Sequence, residues 1–299
     1  MQILVTGATG FVGQSLVPAL LDAGYDVRAL SRSRSKAEEV LDPSVEVVEG
    51  DVLDSGSLVD ALENVDLAYY LVHSLGAGHE YEKRDRRAAD NFATAASDAG
   101  VKRVIYLGGL GETGDELSAH LASRREVESH LAAGDYELTT FRAAIIVGAG
   151  SESFEMVRQM VSRLPVMITP RWVRTPAQPI GIDDVVEYLV KAAETPETAG
   201  KTLEIGGPEV LSYEDMMQRT AAAMNRRIYI LPVPVLTPKL SVYWIDLVTE
   251  TPPSISHPLI EGLKNPVVVT DDTAQDLLDV KLTPFDEAVT RAVAGARHE

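Results

Sequence analysis

The sequence predicts an α/β fold: a doubly wound parallel sheet followed by a smaller, interleaved C-terminal substrate-binding region. Three observations carry this. Short apolar runs alternate with helical patterns across residues 1–150. A glycine-rich turn, TGATGFVG, closes the first run and opens the first helix. After Gly148 the alternation loosens, and prolines gather at Pro165, Pro170, Pro176 and Pro179. The expected division is therefore 1–150 and 151–299, with residues 176–206 returning to the first unit.

ILVTG is the first strand, and it breaks at glycine. Residues 10–23 read as a helix, with Val12, Leu16, Leu20 and Leu21 on one face and Gly24 as the stop. DVRAL is the second strand. VEVVEGD is the third and ends in Asp51, and LAYYLV is the fourth. A small-residue helix over 80–99 leads to RVIYLGG, the fifth. A helix over 115–133 leads to ELTTFRAAIIVG, the sixth. The strands should be joined by right-handed crossovers. Beyond them, GIDDVVEYLVKAAE reads as a helix capped by an aspartate and KTLEIGG as a strand. SYEDMMQRTAAAM is a helix opened by Ser212, and RIYILPVPV a strand stopped by prolines. Residues 236–248 are apolar and aromatic. Lys239 and the nearby prolines favour an ordinary packed helix over a membrane- or partner-docking segment.

The 299 residues are 45% apolar, which is ordinary for a globular chain. With no cysteine, disulfides, zinc–thiolate sites and cysteine nucleophiles are excluded, and no metal site is expected. No apolar run is long enough to span a bilayer and no leader pattern precedes the first strand, so the cytoplasm is the expected compartment. The net charge of −18 disfavours nucleic acid as a partner. Acidic residues are spread along the chain and lysines are few. This favours a halophilic, salt-rich setting over a simply acidic protein.

Gly7, Gly10 and Gly13 sit between the first strand and the first helix. The first allows a tight turn, the second lets backbone approach a pyrophosphate, and the third lets helix and sheet pack closely. Free N–H groups at the helix start suit phosphate. The loop Gly7, Thr9, Gly10, Phe11, Val12 and Gly13 is thus the expected dinucleotide cradle of a Rossmann domain. At the end of the second strand an acidic residue would accept the ribose hydroxyls of NAD(H), whereas a basic one suits a 2′-phosphate. The chain has Ser31 there, then Arg32, with Arg34 in reach. NADP(H) is the preferred cofactor and NAD(H) the alternative.

The Gly-x-x-Gly-x-x-Gly spacing after threonine resembles the extended short-chain dehydrogenase/reductase superfamily. AGVKRVIYLGGLG, FRAAIIVG, PIGIDDVV and LEIGGPEVLSYEDMM resemble segments of that superfamily and of its atypical NmrA-like branch, so the likeness covers nearly the whole chain. YLVHSLG, RDRRAADNFATAA and VIYLGGLG are similar to a bacterial and archaeal group of NAD(P)-binding proteins. That group resembles the 39/40-kDa accessory subunit of respiratory complex I. The resemblance implies adenine contacts from Asp51 and Val52, although an aspartate at a strand end equally suits capping the next turn, and a nicotinamide-ribose neighbourhood at Val72 and His73. It also implies peripheral association with a respiratory complex as one role.

The superfamily's reaction uses an Asn-Ser-Tyr-Lys tetrad. Aligned by the resemblance, these positions hold Asp85, Gly108 or Gly109, His120 and Arg124. His120, with an ordinary pKa of about 6.5, suits general acid–base work. Arg124, one turn later, suits a clamp on the ribose but not a base. A surface histidine without a task is the equal alternative. Tyr70 and Tyr106 read as strand packing, and the glycines at 108, 109 and 111 as an open floor for a flat ring. Two functions follow. One is NADPH-dependent reduction of a quinone or small carbonyl by non-standard residues. The other is a non-catalytic NADP(H)-binding redox sensor or a respiratory-complex assembly or accessory protein.

Overall fold

The structure is a computed structural model that describes residues 1–73, 81–111, 119–169, 171–232 and 265–296. In chain order its first part is β1 (Gln2–Thr6), α1 (Phe11–Asp22), β2 (Asp26–Ser31), α2 (Arg34–Val40), β3 (Glu46–Glu49), α3 (Ser55–Leu62) and β4 (Leu67–Tyr70). Then come α4 (Tyr81–Asp98), β5 (Arg103–Gly109), α5 (Ala119–Leu131), β6 (Glu137–Ala143), β7 (Ile146–Val147) and α6 (Glu152–Arg163). The remainder is β8 (Val166–Thr169), β9 (Pro176–Ala177), β10 (Ile180–Gly181), α7 (Ile182–Glu194), β11 (Thr202–Ile205), β12 (Leu211–Ser212), α8 (Tyr213–Ala223), β13 (Tyr229–Pro232), α9 (Thr273–Leu278) and α10 (Phe285–Gly295).

Seven strands form one parallel sheet in the order β11-β6-β5-β4-β1-β2-β3. Its strands are apolar on both faces because helices cover both. Ile3, Val5, Tyr69 and Ile105 face one layer, with Leu16, Leu20 and Leu189 of α1 and α7. Leu4, Ala68, Tyr70, Val104 and Tyr106 face the other, with Leu58 of α3, Phe92 of α4 and Val127 of α5. Strand order reverses between β1 and β4. Both crossover connections lead away there, so a crevice opens at the strands' C-terminal ends.

The sequence misjudges several local features. ELTTFRAAIIVG is two strands. After Ala143 the chain leaves the sheet, Ala144 N–H donates to the Ile205 carbonyl at 3.0 Å, and Ile146 pairs with Ile180 of β10. The aspartate expected to cap α7 does not do so, since the N-cap is Gly181. Asp184 instead accepts the Thr283 N–H (2.8 Å) and hydroxyl (2.7 Å), tying α7 to the lead into α10. Two short helices went unassigned. Ser33 caps α2 and Asp54 caps α3, each through a side-chain oxygen. Ser212 does open α8, in a reciprocal capping box with Asp215. Residues 236–248 lie outside the described residues. Among the described residues no helix is long and apolar enough to cross a membrane.

A second core lies beyond the strand ends. Phe154, Met156 and Met160 of α6, Tyr213, Met216 and Met217 of α8, and Phe285 and Val289 of α10 pack together there. It forms the far wall of the crevice.

Candidate active site

The glycine loop is built as a cradle. Gly7 has φ +72°, and a β-carbon on it would lie 3.0 Å from the Leu71 carbonyl group. The Gly7 carbonyl accepts the Gly10 N–H at 3.0 Å. A β-carbon on Gly13 would lie 2.6 Å from Ala8 Cα, so only glycine lets α1 start this close to β1. Gly10 is the N-cap of α1 and brings no side-chain cap, and the first turn holds no acidic residue. The first-turn N–H groups and the positive end of the helix dipole are left for an anion.

Beside the cradle, Ser31, Arg32, Ser33 and Lys36 line one end of the crevice. Arg32 is exposed, and the Ser31 hydroxyl donates to the Ser33 carbonyl at 3.0 Å. Arg34 does not share this end. Its N–H donates to Glu49 Oε2 at 2.9 Å, and its guanidinium lies 3.9 Å from Glu38. Lys36 is the cation that sequence reasoning missed. The signal was Ser33, whose capping of α2 puts Lys36 in the first turn. Asp51 and Val52 line the same end. Asp51 Oδ1 is engaged by the Leu53 N–H at 2.9 Å, and the Val52 carbonyl by Asn91 Nδ2 at 3.1 Å.

The middle of the crevice lies where β1, β4 and β5 end. The Thr6 hydroxyl donates to the Tyr69 carbonyl at 3.0 Å, which locks the ends of β1 and β4 together. Leu71, Val72 and His73 follow and line the crevice. Asp85, on the otherwise apolar face of α4, is buried, and its Oδ2 lies 3.3 Å from His73 Nδ1. Burial, helped by the charge of Arg124, pushes the His73 pKa down to about 4 against the opposing pull of Asp85. Gly108 and Gly109 also line the crevice, but not as an open floor. A β-carbon on Gly108 would lie 3.0 Å from the Tyr106 ring, and on Gly109 and Gly111 3.2 and 2.7 Å from Leu121. These glycines make room for neighbouring side chains. Tyr70 and Tyr106 are buried among Phe92 and one another, and burial raises both hydroxyl pKa values.

Helix α5 carries Arg124 into the crevice. Its base is fixed by Glu128, whose carboxylate accepts Arg142 Nη2 at 2.8 Å and Nε at 3.2 Å from β6. The Tyr106 hydroxyl donates to the Arg124 carbonyl at 3.3 Å. The buried Nε of Arg124 has no hydrogen-bond partner among the described residues. Glu152, at the start of α6, faces the same space. Burial raises its carboxyl pKa and Arg124 opposes the rise. The side chain of His120 lies outside the described residues, although its backbone belongs to α5. The whole crevice encloses about 1260 Å³ and runs from the cradle to the methionines of α6 and α8.

Residues 1–248 match the model of the NmrA-like family. The chain belongs to that family. Among curated relatives, the NmrA-like chain is 28% identical over 255 residues to the ceramide reductase of Caulobacter vibrioides, covering 84% of this chain and 80% of that one. It is 24% identical over 270 residues to the UDP-glucose 4-epimerase of Vibrio cholerae, covering 80% of each. It is 23% identical over 240 residues to the photosystem II assembly factor Ycf39 of Guillardia theta, covering 79% and 74%. It spans only 30% to 54% of the length of several other curated relatives. The structure of Citrobacter sp. triphenylmethane reductase complexed with NADP(H) superposes with a TM-score of 0.78 at 22% identity, covering 97% and 99%. The chain thus has the fold of NAD(P)-binding oxidoreductases.

The residues that the resemblance sets against the tetrad are placed as follows. Asp85 partners His73, Gly108 and Gly109 accommodate Tyr106 and Leu121, and Arg124 reaches the crevice. The His73–Asp85 pair was not foreseen as a unit. Its signal was a carboxylate on the small-residue face of α4.

Proposed function

We propose that the chain binds NADP(H) in the cradle and reduces a quinone or small carbonyl with non-standard residues. The single observation behind this is the continuity of the crevice from the glycine cradle, past Arg124 and His73, to an apolar chamber. The cradle suits the group, because added β-carbons at Gly7 and Gly13 would meet backbone. Gly7, Thr9, Gly10, Phe11, Val12 and Gly13 would hold the pyrophosphate. Asp51 and Val52 would meet the adenine end, and Val72 and His73 the nicotinamide ribose. Arg32, joined by Lys36, would take a 2′-phosphate, which favours NADP(H) over NAD(H). The bound dinucleotide supplies a hydride. Within the chain, Arg124 would hold ribose hydroxyls and His120 would give the proton. The reductases among the relatives lend support by family alone.

A second reading keeps the nucleotide and drops the reaction. The difference at all four positions that the resemblance sets against the tetrad favours it, and Ycf39 among the relatives is an assembly factor. In that reading the protein is a cytoplasmic redox sensor or a peripheral accessory of a respiratory complex. Calorimetric titration with NADPH and with NADH, followed by NADPH oxidation against quinones and carbonyls, separates the two. Tight binding with turnover supports the first reading, and tight binding without turnover the second. No binding of either cofactor overturns both.

A further inference from the structure

We infer that the far end of the crevice selects a neutral, apolar substrate carrying a hydrocarbon tail, and rejects phosphate-bearing substrates such as nucleotide sugars. This rests on the reading that the near end holds the dinucleotide. Four of the chain's seven methionines line the crevice: Met156 and Met160 of α6, and Met216 and Met217 of α8. Val157 and Tyr213 complete this wall, and all six are buried among one another. Unbranched thioether side chains adapt to irregular apolar shapes and offer no strong hydrogen bond. A diphosphate moved from water to such a wall would lose its solvation without replacement.

The placement of charge points the same way. The cations lining the crevice, Arg32, Lys36, Arg84 and Arg124, come from the β2–α2 turn, α2, α4 and α5. None of the described lining residues of α6 and α8 is a cation. Arg158 on α6 is turned to Glu155 at 2.6 Å, and Arg219 on α8 to Glu209 and Asp286 at 2.5 and 2.6 Å. The charged group that α6 does bring is Glu152, which repels phosphate. The polar head of a substrate therefore belongs beside Arg124 and its tail on the methionines.

The test uses the full chain saturated with NADP⁺, so that nothing turns over. Ubiquinone analogues with methyl, butyl and decyl tails, and UDP-glucose, are titrated by calorimetry. The dissociation constant should fall along the series, by roughly fourfold for each methylene buried until the chamber is full. UDP-glucose should not bind. Met216→Gln should weaken the decyl analogue at least tenfold and leave the methyl analogue unchanged, while Met216→Leu keeps the dependence on tail length. Melting temperature and NADP⁺ affinity show that each variant is folded. Affinity independent of tail length, UDP-glucose binding above that of the decyl analogue, or a tail dependence untouched by Met216→Gln would overturn the inference. Tail-dependent binding without NADPH oxidation would instead sink the reductase reading and leave the substrate class standing.

Discussion

His73 Nδ1 lies 3.3 Å from Asp85 Oδ2, and this contact joins the end of β4 to the buried face of α4. The geometry has the imidazole donating its Nδ1–H to the carboxylate. Burial and the charge of Arg124 keep His73 neutral in the fold, with its pKa near 4 against about 6.5 in an unfolded chain. The unfolded chain therefore takes up a proton that the fold refuses. Stability from this site is whole above pH 6.5 and falls as pH drops towards 4, by on the order of 3 kcal/mol in all. Urea unfolding between pH 7 and 4 should show this slope, and His73→Gln should flatten it. An unchanged slope in the variant would locate the effect elsewhere.

The cofactor end should discriminate by charge. Arg32→Ala should cost about 1.5–3 kcal/mol of NADPH affinity, the size of a charge-assisted hydrogen bond, and little of NADH affinity. Lys36→Ala should act in the same direction. Arg34→Ala should do less, because its guanidinium is turned to Glu38, away from this end of the crevice. Calorimetry with both cofactors reads each effect, and equal affinities unaffected by Arg32→Ala would refute the preference.

Gly10 and Gly13 should fail differently when replaced by alanine. At Gly13 the new carbon meets the backbone of Gly7 and Ala8, which cannot yield, so Gly13→Ala should lower the melting temperature and abolish nucleotide binding. At Gly10 the nearest atom is the Gly7 carbonyl oxygen at 3.2 Å, and the rest of the space is open. Gly10→Ala should fold nearly normally and lose affinity, because the methyl group stands where a phosphate would approach. Thermal shift with and without NADPH separates the two outcomes.

What the sequence discloses is what local pattern encodes. The strand–glycine–helix start and the alternation of apolar runs are local, and both appear in the sheet around β1. Lys36 is not legible in the sequence because its place depends on where the seven-residue α2 begins, which the cap at Ser33 sets. The His73–Asp85 pair spans twelve residues and joins the segment after β4 to α4, so no spacing rule reaches it. The break after Ala143 depends on pairing with β11 and β10, strands far along the chain. Gly108 and Gly109 were read as space for a ligand, because the bulk of Tyr106 and Leu121 beside them is a tertiary fact.

The charge of −18 should make stability depend on salt. Carboxylates repel one another in dilute buffer, and counterions screen them as ionic strength rises. The melting temperature should climb steeply from dilute buffer into molar potassium chloride. A flat or falling curve would argue against a salt-rich setting.

If the chain turns over, α5 should carry the proton step. Reduction leaves negative charge on the acceptor oxygen, and a donor must quench it. Leu121 and Arg124 line the crevice from α5, and His120 is on the same helix one turn before Arg124. His120→Ala should lower turnover about 10²–10⁴-fold while cofactor affinity holds. Arg124→Ala should weaken NADPH binding, because its guanidinium would no longer meet the ribose. The rate should fall as pH rises past the histidine pKa, since only the imidazolium donates. Steady-state rates with a quinone panel from pH 5 to 9, with both variants, measure all three. Should turnover and its pH profile survive His120→Ala intact, the proton comes from another group. It is not His73, which burial and the charge of Arg124 keep neutral.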